Sequence, residues 1–281
     1  MKKVKIIGVP EHFNYPWHMA MAEGAFAARG INLEWEDIPE GTGRMCQMLN
    51  DNETDLAIIL TEGILKNISE GYPIKIAQEY IGSPLQWGIH VAADSTYETV
   101  EALEGKKAAI SRMGSGSHLM TYVLAEGQGW DTAALDFEIV NNLDGGVQGL
   151  TQKKADFFLW EHFTTKPLVD SGVFRRLGDC PTPWPCFVVA VTEAFLEKKP
   201  ALLDHVLDII NGYTQEFKTI PSIDRTLANQ YGIQLADIQE WLGMTRWSQK
   251  QIDLAQAKEA YKQLLALGLA KEGLAMERIL L

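Results

Sequence analysis

Two stretches of the chain hold residues able to do chemistry, and each stands where a short apolar run gives way to a helix. The first is Glu11-His-Phe-Asn-Tyr-Pro-Trp-His, ending at His18. Phe13, Tyr15 and Trp17 offer flat faces for stacking, and Asn14 offers a hydrogen-bonding edge. A plainer reading has Phe13 and Trp17 stapling the next helix into the core, with His12 and His18 at the surface. The second stretch is Ser111-Arg-Met-Gly-Ser-Gly-Ser-His, ending at His118. Small residues ahead of a helix expose backbone N–H groups, and the helix dipole favours an anion there. Arg112, Ser115, Gly116, Ser117 and His118 are the candidates. Such a helix end contributes ~0.3–1 kcal/mol, which biases ligand charge without giving tight binding. The plainer reading is an ordinary Ser N-cap.

Other candidates sit at similar junctions. Thr42 and Arg44 follow the second strand, where Gly41 and Gly43 let backbone approach a ligand. Arg44 either pairs a carboxylate or sulfonate or is a solvated first-turn arginine. Thr61 reads both as a helix N-cap and as a ligand contact, with Glu62 beside it. Ser83, Gln86 and Trp87 are secondary candidates at the expected first crossing of the chain, 87–92. Trp160 and His162 end a strand and face either a ligand or a hinge, with Glu161 on the opposite side. Trp184 lies in the stiff loop 181–185.

These residues point to binding more than to catalysis. No His-Glu-x-x-His, paired Cys-x-x-Cys, Gly-x-Ser-x-Gly elbow, Walker A or Gly-x-Gly-x-x-Gly motif occurs. No catalytic set, metal set or cofactor is therefore expected. Cys46, Cys180 and Cys186 are the three cysteines. An odd number favours a reducing compartment, although a Cys180–Cys186 bridge stays open.

The elements that position the candidates alternate. Strands are expected at 4–9, 33–38, 55–60, 74–78 and 87–92, with helices at 16–29, 43–51 and 61–70. The run 56–60 is apolar on both faces, as a parallel strand under helices should be. A second series follows, with strands at 107–110, 137–140, 155–160, 174–177 and 187–192 and helices at 117–128, 145–152 and 164–171. From 193 to 281 only amphipathic helices are expected. The strands at 87–92 and 187–192 are expected to carry the chain between lobes.

Composition sets bounds. A chain of 281 residues, 46% hydrophobic and 22% charged, reads as a folded protein of two domains. The net charge of −12 argues against a nucleic-acid partner. No apolar run is long enough for a membrane span, so no membrane insertion is expected. Lys2, Lys3 and Lys5 resemble the start of an export signal, but the apolar run after them is too short. The expected location is cytoplasmic as the sequence stands, or periplasmic if a leader has been removed.

Lys5-Ile-Ile-Gly-Val-Pro followed by Pro16-Trp-His-Met-Ala-Met-Ala-Glu-Gly-Ala-Phe-Ala-Ala-Arg-Gly-Ile resembles the opening of type II periplasmic substrate-binding proteins. Gly41, Asp55-Leu-Ala, Gly71-Tyr-Pro, Leu103-Glu-Gly-Lys-Lys, Gly114-Ser-Gly-Ser-His and Lys154-Ala-Asp agree in order. The branch handles nitrate, sulfonates, taurine and thiamine pyrimidine precursors. The resemblance implies a two-lobed α/β fold with mainly parallel sheets, flanking helices, a two-strand hinge and a helical C-terminal segment. Lobe 1 would comprise 1–90 and 188–281, and lobe 2 would comprise 91–187. It implies capture of a small anionic or heteroaromatic molecule between lobes by hinge closure, with an ABC permease as partner if exported; a monomer is the expected state. The alternative is a cytoplasmic enzyme or ligand sensor acting on a small heterocyclic metabolite. The fungal-type thiamine-pyrimidine synthase of this fold carries a Cys-rich iron motif, and no adjacent cysteines occur here, so its chemistry does not carry over.

Overall fold

The computed structural model describes all residues, 1–281. The chain divides into two compact units: Met1–Pro84 with Trp184–Leu281, and Leu85–Pro183. The first part of unit 1 runs β1 (Lys2–Gly8), α1 (Tyr15–Ala22), α2 (Ala25–Ala28), β2 (Ile31–Asp37), α3 (Thr42–Asn50), β3 (Leu56–Leu60), α4 (Thr61–Ser69) and β4 (Ile74–Ile81). Unit 2 follows with β5 (Gln86–Ala92), β6 (Lys107–Ile110), α5 (Gly116–Gln128), β7 (Asp136–Ile139), α6 (Leu143–Thr151), β8 (Phe157–Glu161), α7 (Lys166–Asp170) and β9 (Phe174–Pro181). The chain returns to unit 1 through β10 (Phe187–Thr192), α8 (Glu193–Lys198), α9 (Pro200–Glu216), α10 (Ile223–Tyr231), α11 (Leu235–Met244) and α12 (Leu254–Ala266).

Each unit is built on a five-stranded mixed sheet. Unit 1 has the order β2-β1-β3-β10-β4 and unit 2 the order β7-β6-β8-β5-β9. In each, four strands share a direction and one runs against them. The local cause is visible at the chain crossings. Cys186 N–H donates to Ser83 O at 3.2 Å, so β10 starts beside the end of β4 and must run antiparallel to it. Thr182 N–H likewise donates to Leu85 O at 3.0 Å, and β5 runs against β9. The crossings are therefore the short segments around Pro84–Leu85 and Pro183–Trp184, whereas the strands at 87–92 and 187–192 lie wholly within the sheets, contrary to the sequence expectation.

Patterning explains which strands are central. All five residues of β3 and all six of β10 are buried. Both are covered on two faces, and their unbroken apolar runs fit that position. The helix expected over 16–29 is broken at Gly24, whose φ of +72° is left-handed and caps the start of α2. The expected absence of strands after Thr192 matches the C-terminal helices, apart from single bridges at Ile81–Trp247 and Ile76–Leu280. Phe217, Trp241 and Trp247 from this segment form one aromatic cluster with Phe13, Phe187 and His12. The cluster fixes the loop after β1 against the body of unit 1. In unit 2, Phe158, Phe174, Val140 and Leu150 centre the core, with Trp160 packed against it.

Candidate functional site

The carboxyl end of the unit 1 sheet carries the loop after β1, the start of α4 and the residues flanking the crossings. Residues 12–14 make one turn of 3-10 helix, all buried. Asn14 Nδ2 donates to Val9 O at 2.8 Å, while its Oδ1 has no partner within the protein. A glycine is required beside it: a Cβ on Gly8 would lie 2.6 Å from the Trp35 ring and 2.9 Å from Asn14 Nδ2. The other rings of the loop do not form a wall. Phe13 sits in the aromatic cluster, and its carbonyl accepts from the Tyr80 hydroxyl at 2.8 Å. Trp17 is fully buried and stacks on Phe26 at 6.0 Å, so it is core. Tyr15 is half-buried between Phe217 and Tyr231. It lines a groove of about 610 Å³ with His18, Glu23, Asp37 and Tyr231.

At the start of α4, Thr61 N–H and Oγ1 both donate to Cys186 O, at 3.0 and 3.3 Å. The hydroxyl ties β10 to the helix and does not cap it, so the N-cap reading fails. Glu62 is 2% exposed. Its Oε2 accepts from Trp184 Nε1 at 2.7 Å, and its Oε1 has no partner within the protein. Burial drives the carboxyl up to about 7, against the opposing pull of its own backbone N–H and of Trp184. Near neutral pH the group is divided between its two forms. Thr42 is buried where α3 meets α4, against Gly63. Arg44 pairs with Glu53 at 2.9 Å on the surface. Ser83 Oγ accepts from Arg246 N–H at 3.0 Å, which pins the first crossing to the C-terminal segment.

In unit 2 the expected helix start is realised in detail. Ser115 is the N-cap of α5 and accepts from His118 N–H at 3.3 Å. Its Oγ lies 3.1 Å from Ser117 Oγ, which accepts from Ser111 N–H at 2.9 Å. Gly116 opens the helix, and Arg112 N–H points at Ser115 Oγ, 3.5 Å away. Gly114 N–H donates to His118 Nδ1 at 3.0 Å, which places the ring proton on Nε2. That Nε2 is buried and has no partner within the protein. Burial also lowers the imidazole below its ordinary value, so the neutral ring is favoured.

A second polar group gathers at the end of β8. His162 Nδ1 and Asp179 Oδ1 are 2.7 Å apart. Burial works to raise the Asp179 carboxyl, but the His162 hydrogen bond and the charges of His162 and Arg176 hold it below its ordinary range. Glu161 is buried, its Oε2 accepts from Thr164 N–H at 2.6 Å, and burial raises it. His90 reaches Thr165 Oγ1 at 2.8 Å, and burial lowers it to about 4. Trp160 packs on Phe158 at 5.1 Å, on the core side. Sequence reasoning missed Asp179 and His90, and no local spacing marks them. None of the three cysteines forms a disulfide, so Cys180 and Cys186 are unbridged. No three His, Cys, Asp or Glu side chains converge as a metal set would.

Comparison with known structures settles the architecture. The Candida albicans CA3427 gene product, described as having the generic periplasmic-binding-protein fold, superposes with a TM-score of 0.89 at 26% identity, over 99% of this chain and 94% of that one. The chain has the type II periplasmic-binding-protein fold. Residues 87–180, within unit 2, match the model of the Ca3427-like PBP family. The alkanesulfonate-binding protein SsuA of Xanthomonas axonopodis pv. citri, bound to MOPS, shares the binding-protein fold with a TM-score of 0.82 at 16% identity, over 100% and 96% of the chains. The nitrate-binding protein NrtA of Synechocystis does so with a TM-score of 0.74 at 13% identity, over 99% and 85%. No curated protein sequence matches significantly. The resemblance seen in the ordered motifs is thereby borne out, and no helix is long and apolar enough to cross a membrane.

Proposed function

We propose that this protein binds a small organic molecule, anionic or heteroaromatic, with both units contributing and the two crossings acting as a hinge for closure. One observation carries the reading: buried polar atoms lacking protein partners gather at strand ends in both units. Among them are His12 Nε2, Asn14 Oδ1 and Glu62 Oε1 in unit 1 and Trp87 Nε1, Thr164 Oγ1 and, beside the α5 N-terminus, His118 Nε2 in unit 2. Folded proteins pair nearly all buried polar groups, and each exception costs ~1–3 kcal/mol. Groups left waiting at strand ends in this fold are reasonable ligand contacts. The sulfonate- and nitrate-binding neighbours support an anion at the Ser115–His118 helix start. A micromolar affinity, about −8 kcal/mol, suits such a site.

Thermal-shift screening against sulfonates, carboxylates, aminoheterocycles and thiamine precursors tests the proposal. Concentration-dependent stabilisation by one class supports it, and a flat response across all classes refutes it. A permease–ATPase pair is the partner expected for an exported form. A cytoplasmic form would act as a sensor or enzyme. The His162–Asp179 pair favours the enzyme version, because a carboxylate on Nδ1 leaves Nε2 to accept a proton. Loss of turnover in His162→Asn with ligand affinity retained would select it.

A further inference from the structure

The unit 1 edge has a chemical sign of its own, and the inference drawn from it rests on the binding reading above. Among the buried polar atoms of unit 1 that lack protein partners, Asn14 Oδ1 and Glu62 Oε1 are acceptors, whereas His12 Nε2, Trp17 Nε1, Trp241 Nε1 and Trp247 Nε1 belong to rings packed in aromatic contacts. Glu62 Oε2 is already engaged by Trp184. No cation balances the carboxyl. Arg44 is tied to Glu53 at the surface, Arg246 Nη2 donates to Gly82 O at 2.7 Å, and His12 is held neutral by burial. An anion brought to Glu62 would meet a buried carboxyl with no cation beside it. A ligand N–H would satisfy what the protein leaves unsatisfied.

We propose that unit 1 takes its ligand through an N–H donor accepted by Glu62 Oε1, so that the ligand is an aminoheterocycle or an amidine and not a simple sulfonate, nitrate or carboxylate. An N–C–N edge suits the group in either protonation state. Two N–H groups meet a carboxylate, and an N–H beside a ring nitrogen meets a carboxylic acid. The Trp184 indole already orients Glu62, which holds the accepting oxygen in place before any ligand arrives.

The test uses the full chain labelled with 15N at tryptophan, titrated at neutral pH with 2-aminopyridine, benzamidine, pyridine and methanesulfonate. The expected result is that 2-aminopyridine and benzamidine bind and move the Trp184 Nε1–H resonance. Pyridine, which lacks the donor, should bind at least tenfold more weakly. Glu62→Ala should weaken the two donors at least tenfold. Should Glu62→Ala not fold, Glu62→Gln serves instead, because its amide oxygen keeps the Trp184 contact while its NH₂ replaces the waiting acceptor; donor probes should again weaken. Methanesulfonate binding with affinity unchanged within twofold in the Glu62 variants would overturn the inference while leaving the binding reading intact. Absence of binding by both donor probes would also overturn it, and the broader screen would then judge the binding reading separately.

Discussion

Replacing Glu62 by Gln should stabilise the protein at neutral and alkaline pH and have little pH-dependent effect in acid. The ordinary value of the carboxyl is 4.5, and burial raises it to about 7. Below pH 4.5 the group is protonated in both folded and unfolded chains and contributes no pH dependence. Between about 4.5 and 7 the folded chain holds a proton that the unfolded chain has lost, so stability falls as pH rises. Each pH unit is worth ~1.36 kcal/mol, giving a loss of about 3 kcal/mol that is complete once pH exceeds the folded value. The carboxyl is 2% exposed, so solvent screening takes little from that figure. Gln retains an acceptor for the Trp184 indole and cannot ionise. Denaturant melts of both proteins at matched pH from 4 to 8.5 read the difference, and the other titrating groups cancel in it. The gap should widen by about 3 kcal/mol in favour of Glu62→Gln between pH 4.5 and 8. A gap that stays constant within ~1 kcal/mol, or that widens toward acid, would refute a carboxyl raised by burial.

Three further outcomes are expected. Gly63→Ala should destabilise by ~1–3 kcal/mol in chemical melts, because its Cβ would lie 2.1 Å from Thr42 Cγ2; the double variant Thr42→Ser, Gly63→Ala should recover most of the loss. Ser115→Ala should cost ~1 kcal/mol through the lost α5 cap and should weaken any anion found in the screen, as read by calorimetric titration; unchanged stability would contradict the cap. Arg44→Ala should change stability by under ~1 kcal/mol and leave ligand affinity unaltered in the same titration, since its ion pair with Glu53 is exposed.

Alternation and apolar runs revealed the strands because the sheet interior permits little else. β3 and β10 are buried along their whole length, and a chain that must be apolar on both faces advertises it. The break between α1 and α2 was hidden, since Gly24 sits among Ala, Glu and Phe and carries no proline or cap beside it. The dense aromatics of residues 13–17 were misleading for a physical reason. Rings that line a pocket and rings that anchor a loop have the same composition, and here Phe13 and Trp17 meet Trp241, Phe187 and Phe26, partners far apart in sequence or masked by it. Ser115–His118 was legible because a helix cap is local, with all its bonds within a few residues. Glu62 was legible as a candidate but its partner was not, because the indole that holds it comes from Trp184, 122 positions away. Asp179 and His90 were missed on the same grounds: their partnerships exist only once β5, β8 and β9 are paired.

The most direct test of a ligand-binding role is where a bound molecule is felt. A stabilising compound from the screen should be titrated into 15N-labelled protein while the Trp184 indole and the backbone amides of Ser115–His118 are followed. The account predicts saturable shifts at both places with one common affinity. A compound that stabilises the protein yet leaves both sets of signals unmoved would contradict it.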